Sequence, residues 1–204
     1  MWEFRLAKVV ATAILAALAL SAAYNNVVDY EAGFEWVRHI MSLDTVKPSN
    51  GAVGRAITDL NVMTAVYIAS ILAQALAGLC FATAALAMLR RLRGPVGKFV
   101  MAKRWLPLGA VFGLLVWFLG WMVVGGQYFA AWQMGLWDPQ DSAFRLYMTM
   151  MGVLIFVSLP EPAVETPPPP PSLTSRFAVK SKAAPAEDGG VAPFSWTRPR
   201  NTAL

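Results

Sequence analysis

The sequence predicts an all-α membrane protein: a four-transmembrane-helix bundle with a periplasmic loop that carries a short amphipathic helix, and with a disordered C-terminal tail. Three observations lead there. Between Asp59 and Arg90, and again between Arg104 and Asp138, the chain runs about 30 residues without a charge, enough for a helix to cross a hydrocarbon core about 30 Å thick. The 204 residues are 57% hydrophobic and 14% charged, with eight tryptophans and a mean hydropathy of +0.50, a departure from soluble composition toward apolarity. The positive charges are also segregated. Arg90, Arg91, Arg93, Lys98, Lys103 and Arg104 gather without one acid between the two long runs, the excess that marks a short cytoplasmic loop.

The first span is expected over residues 9–28. Arg5 and Lys8 precede the apolar Val9–Leu20, and Ser21-Ala22-Ala23 follows, a pattern that a cleavable signal peptide and a first membrane helix both satisfy; the uncharged length reaching Val28 favours a retained helix. The connection over 24–60 carries Asp29, Glu31, Glu35, Asp44 and Asp59 against Arg38, Lys47 and Arg55, an acidic balance that places it in the periplasm. Within it Tyr30, Phe34, Val37 and Met41 recur at helical spacing after an Asp29 cap, which predicts an amphipathic helix lying in the headgroup plane, before a turn at Lys47-Pro48-Ser49-Asn50-Gly51.

The second span, 61–89, has Ala65, Ala69, Ala73 and Ala77 on one row, read as a close-packing stripe, beside a more polar line of Tyr67, Ser70, Gln74 and Gly78 that should face protein rather than lipid. In the third, 105–130, Pro107 sits in the first turn and Gly109-xxx-Gly113 offers close packing, followed by a ladder of Trp117, Trp121, Val124 and Tyr128. Trp132, Gln133 and Trp137 suit the outer interface. Asp138-Pro139-Gln140-Asp141 then opens the fourth span, 139–159, with a cap, a proline and an acid. Arg145, about 9 Å into that helix, can snorkel or pair with Asp141. Residues 1–160 form the membrane domain, and 161–204, with five prolines at Pro167–Pro171, a disordered cytoplasmic tail.

Chemistry is harder to find. The one cysteine, Cys80, lies inside an apolar run and the one histidine, His39, outside, which excludes an intramolecular thiol oxidase, a bis-histidine haem and a His/Cys zinc site. Without a nucleophile–base pair or a phosphate loop, no enzyme, cofactor or metal is expected, and the net charge of +5 forms no basic face for nucleic acid. The candidates for ligand contact or helix packing are Tyr67, Ser70 and Gln74 at mid-membrane, Gly125, Gly126 and Gln127 near the outer face, and Trp132, Asp141 and Arg145 at that interface. An outer cluster of Asn25, Asn26 and Asp29 with His39 is the alternative to plain capping and turn formation there. A non-catalytic accessory subunit or scaffold fits best. The alternatives are a component of a small-solute or ion transporter and a lipid- or quinone-binding membrane enzyme. The partners expected are membrane lipids and a membrane-protein partner or a second copy.

Three stretches are distinctive in their ordered aromatics, asparagine pair and glycine pair: Asn25-Asn26-Val27-Val28-Asp29-Tyr30 with the Phe34 to Asp44 segment, Trp117 through Phe129 with Gly125-Gly126, and Trp132-Gln133 with Trp137 through Arg145. Together they resemble the small bacterial integral membrane proteins catalogued as domain of unknown function 2165 (DUF2165), over about 1–160. The resemblance implies a four-helix protein of the bacterial inner membrane and supplies no reaction; the charge pattern puts both termini in the cytoplasm.

Overall fold

The computed structural model describes residues 2–47, 49 and 51–161, and every regular element among them is helical. In chain order these are α1 (Trp2–Val28), α2 (Tyr30–Ser42), a 3₁₀ turn (Gly51–Arg55), α3 (Leu60–Arg90), α4 (Val96–Ala102), a 3₁₀ turn (Lys103–Trp105), α5 (Leu106–Leu114), a π-helix (Leu115–Tyr128), two 3₁₀ turns (Ala131–Gln133 and Gly135–Trp137) and α6 (Gln140–Ser158). Four stretches are long and apolar enough to cross a bilayer: Trp2–Val28, Leu60–Arg90, Val96–Tyr128 and Gly135–Ser158. The four-span fold class is borne out. The Pro-rich segment expected to form the tail lies outside the described residues, as do Pro48 and Asn50 of the expected turn.

The first span begins earlier than expected, at Trp2, so Arg5 and Lys8 belong to the helix instead of preceding it, and it continues unbroken through Ser21-Ala22-Ala23. α2 starts directly after Asp29, but the Asp29 side chain makes no cap bond. Its apolar face is turned onto protein: Val37, Ile40 and Met41 are buried in a cluster with Met63, Tyr67 and Phe129, so the helix is a lid packed on the bundle. Leu43 ends it with φ 55°, a left-handed conformation that costs a branched residue about 1–2 kcal/mol, offset by burying that side chain in the same cluster.

α3 is the central helix, packed on α1 and on α5. The alanine row does not make this contact as a unit. Each four-residue step advances about 40° beyond a full turn, so Ala65 to Ala77 drifts by about 120° around the helix; Ala65 and Ala69 are exposed, and of the row only Ala77 is fully buried. Close approach comes instead from single glycines. A Cβ on Gly78 would meet Leu20 of α1 at 2.6 Å, one on Gly109 would meet the Phe81 ring at 2.7 Å, and one on Gly113 would meet Met150 Sδ at 2.6 Å, so the two glycines of the third span serve different neighbours, α3 and α6.

The third span also starts earlier than expected, at Val96, and its second half is a π-helix. π geometry is normally confined to single-turn bulges, often at functional sites. Here it persists to the cap, where Phe129 N–H donates to Val124 O at 3.0 Å. The inward face of the π-helix runs through Val116 and Trp117, the partly buried Trp121 and the buried Gly125–Gly126, and the expected ladder breaks: Val124 and Tyr128 turn outward, 40% and 50% exposed. The fourth span is capped at Asp138, which accepts the Gln140 N–H at 3.0 Å, and its α-helix begins at Gln140.

Candidate functional site

At the α2 end the helices part around a cavity of about 370 Å³. The last turn of α1 contributes Asn25 and Asn26, α2 contributes Gly33 and Trp36, α3 contributes Tyr67 and Gln74, the π-helix Trp117 and Trp121, and the start of α6 Pro139, Ser142, Ala143 and Leu146. Gly33 is what lets α2 close over it: a Cβ there would overlap the Tyr67 hydroxyl. Tyr67 is held by Tyr30, edge-on with centroids 4.9 Å apart, and by Phe34 at 5.9 Å, and its hydroxyl donates to the Asn26 carbonyl at 3.2 Å.

Gln74 is the polar group at the centre of this arrangement. It is 4% exposed and accepts a hydrogen bond from Asn26 Nδ2 at 2.9 Å, which ties α3 to α1. Among the described residues that is the side chain's only hydrogen bond, so its Nε2 donors face the cavity unpaired. Amide orientation is assigned from the network, but turning both amides over only exchanges the roles. In either arrangement the pair offers one free donor and one free acceptor side by side. None of the cavity-lining residues is Lys, Arg, Asp, Glu or His, so the site can hydrogen-bond a guest but has no ion to neutralise one.

Trp121 also lines a larger apolar groove of about 590 Å³ between α2, α3 and the π-helix. Ala69, Ser70, Ala73, Gly120 and Gly125 form part of its wall, and Trp121 is common to both spaces. Ser70 adds little polarity there, since its hydroxyl donates to Tyr67 O at 2.7 Å.

The opposite end of the bundle holds a charged cluster that the sequence did not announce. Lys8, read as a flanking charge, is fully buried, and Glu161, assigned to the tail, is packed in the bundle with a side chain 1% exposed. Glu161 Oε1 accepts from Lys8 Nζ at 2.9 Å and Lys103 Nζ at 2.8 Å, while Oε2, with no hydrogen bond, lies 3.6 Å from Arg5 Nε. The cations also cap helix ends: Lys8 donates to Leu159 O at 2.5 Å, Lys103 to Val157 O at 2.8 Å, and Arg5 to Leu92 O and Gly94 O at 3.1 and 2.8 Å. Burial pushes the Glu161 carboxyl up, but the Lys103 and Lys8 ammoniums outweigh it and hold the group below the ordinary carboxylate range.

Of the sequence candidates, Tyr67 and Gln74 meet in the cavity, and Ser70 and Gly125 in the groove. Gly126 is a packing position, where a Cβ would meet Gln140 Oε1 at 2.6 Å. The π register turns Gln127 outward, and Trp132, Asp141 and Arg145 are exposed too. Arg145 does not pair with Asp141; its Nη2 reaches Ser142 Oγ at 3.5 Å, the limit of a hydrogen bond. His39 does not join Asn25 and Asn26. It pairs with Asp44 at 2.8 Å and stacks on Trp137 at 4.1 Å, because α2 directs it away from the cavity toward the loop before α6. The sequence reading left Gly33, Trp36 and Ser142 out of the site, and gave Trp117 and Trp121 only as a ladder; the crossing of α2 brings the first two there, and Asn25 and Asn26 were noted but assigned to a different cluster. Among the described residues no three His, Cys, Asp or Glu side chains come together as metal ligands would.

Comparison with known proteins returned no match among curated proteins and none among solved structures. One family model matches, described as a predicted small integral membrane protein, and it covers residues 4–160, which takes in Lys8 and all but the first two residues of the four spans, with Glu161 directly beyond. The four apolar helices and that match over most of the chain agree: this chain belongs to the DUF2165 family of small integral membrane proteins.

Proposed function

We propose that this is a non-catalytic subunit of the bacterial inner membrane, which holds a small membrane-soluble molecule beneath α2 and presents it to a membrane-protein partner or a second copy. The observation that carries the reading is Gln74: a nearly buried amide in a membrane span, with one lobe bonded to Asn26 and the other unpaired toward a cavity. A polar group in that position is costly unless partnered. Amides, a phenol, indoles and a hydroxyl bind and orient; none of them is a nucleophile set beside a base. The core at the other end, closed by Met88, Phe99 and Met150, favours binding over conduction. The positive residues Arg5, Lys8, Arg90–Arg104 and the acidic α2 end support an orientation with both termini in the cytoplasm.

The test is purification in mild detergent followed by mass spectrometry of lipid extract and protein, on the wild type and on Gln74→Leu. A small molecule retained by the wild type and lost from a folded variant is the expected result. A stoichiometric protein partner with no small molecule in either preparation would leave a scaffold and end the binding reading. Reporter fusions after Lys98 and after Gly51 check orientation, with cytoplasmic activity expected from the first and periplasmic activity from the second.

A further inference from the structure

Resting on the binding role proposed above, we infer that the ligand is an uncharged amphiphile: its oxygen-bearing head occupies the amide cavity and its hydrocarbon chain lies in the apolar groove across Trp121. Charge decides the head. A phosphate or carboxylate brought into this cavity would shed water and find no charge in its lining, the Arg145 guanidinium beside it reaching only the Ser142 hydroxyl at 3.5 Å, and an unpaired buried ion costs several kcal/mol. A carbonyl or hydroxyl oxygen has no such cost. It meets the unpaired donor and acceptor of the Gln74–Asn26 pair, with Ser142 at the opposite wall.

Shape decides the rest. Trp36, Trp117 and Trp121 line the cavity and present flat apolar faces suited to a ring or a planar ester. The groove that shares Trp121 has more than one and a half times the cavity's volume (590 against 370 Å³), and its polar side chains are Ser70, Tyr128 and the Trp121 indole, the rest being apolar, which suits an aliphatic chain. Its opening is widened where Ala69 and Ala73 of α3 and Gly120 and Gly125 of the π-helix take the place of larger side chains. The shared chemistry, a neutral oxygen head on a long apolar chain, is that of an isoprenoid quinone and of a diacylglycerol-type lipid.

The experiment uses the full chain in detergent micelles, with tryptophan fluorescence as the readout because three indoles line the cavity. The probes are decylubiquinone, dioctanoylglycerol and the anionic dioctanoyl phosphatidylglycerol. A saturable response to one neutral probe and none to the anionic one is expected; decylubiquinone identifies the quinone source, dioctanoylglycerol the lipid source. Gln74→Leu should weaken it about 3–10-fold, the loss of one neutral hydrogen bond. Asn26→Ala, at a half-buried position, should do the same and covers the case in which Gln74→Leu does not assemble. Ala69→Leu, which narrows the groove without touching the cavity, should weaken binding as well. An unchanged response in Ala69→Leu removes the groove from the site. Saturable binding of the anionic probe alone overturns the neutral head while leaving a binding role standing, and no saturable response to any probe, with an empty lipid extract, overturns both.

Discussion

Lys8 with Glu161 at one end of the bundle, and Gln74 with Asn26 at the other, are both polar pairs that bridge the first helix to a distant element, each at 2.9 Å. They differ in what surrounds them. Around Glu161 the space is filled by two ammoniums, a guanidinium and the carbonyl ends of α6 and of the α3–α4 connection, because a charge out of water needs opposite charge packed around it, even though Oε2 itself accepts no hydrogen bond. Around Gln74 there is a cavity, because a neutral amide can be buried half-satisfied at far lower cost. Formal charge closes one end of this protein, and its absence lets the other end stay open.

The hardest way to break the comparison is at the closed end. Glu161→Ala strands Lys8 and Lys103 without their acid and should cost about 3–5 kcal/mol, read as a large fall in the thermal midpoint in detergent; a loss under about 1 kcal/mol would show that the carbonyl caps suffice. Acid should act on the same end. The folded carboxyl sits below the ordinary carboxylate range, so its contribution is complete above that range and is lost as pH falls through the depressed folded value. The thermal midpoint should therefore drop in that window in the wild type and not in Glu161→Ala.

At the open end the effects shrink. Gln74→Leu should cost on the order of 1 kcal/mol, one interhelical hydrogen bond, and an effect equal to that of Glu161→Ala would erase the distinction between the two ends. The smallest change is expected from Arg145→Gln, an exposed side chain with one marginal bond, which should move stability by less than about 0.5 kcal/mol.

Which of these features a sequence can disclose follows from the range over which each is encoded. The four spans are local runs of apolar residues, and the amphipathic pattern of α2 is equally local, so both were legible. Gln74 and Tyr67 stood out because a polar residue in an apolar run is conspicuous by itself. The π-helix was not legible: its residues are ordinary membrane residues, and a helical ladder drawn through Trp117, Trp121, Val124 and Tyr128 assumes the α period that the segment abandons. The alanine row misled for a related reason, since identical spacing along the chain is not a constant direction around the helix. Lys8 and Glu161 are 153 positions apart, and neither has a local pattern pointing to the other.

That separation has a consequence for how the protein is made. At about 5–20 residues per second, synthesis delivers Glu161 roughly 8–30 s after Lys8. Until then the first helix can enter the bilayer but cannot seat its lysine, which must reach toward the headgroups for water. A nascent chain interrupted within the fourth span would carry a first helix packed on α3 but with the Lys8 charge still stranded. Glu161, the third residue beyond Ser158, thus completes the seating of Lys8, a step that follows the packing of the first helix on α3 instead of accompanying it.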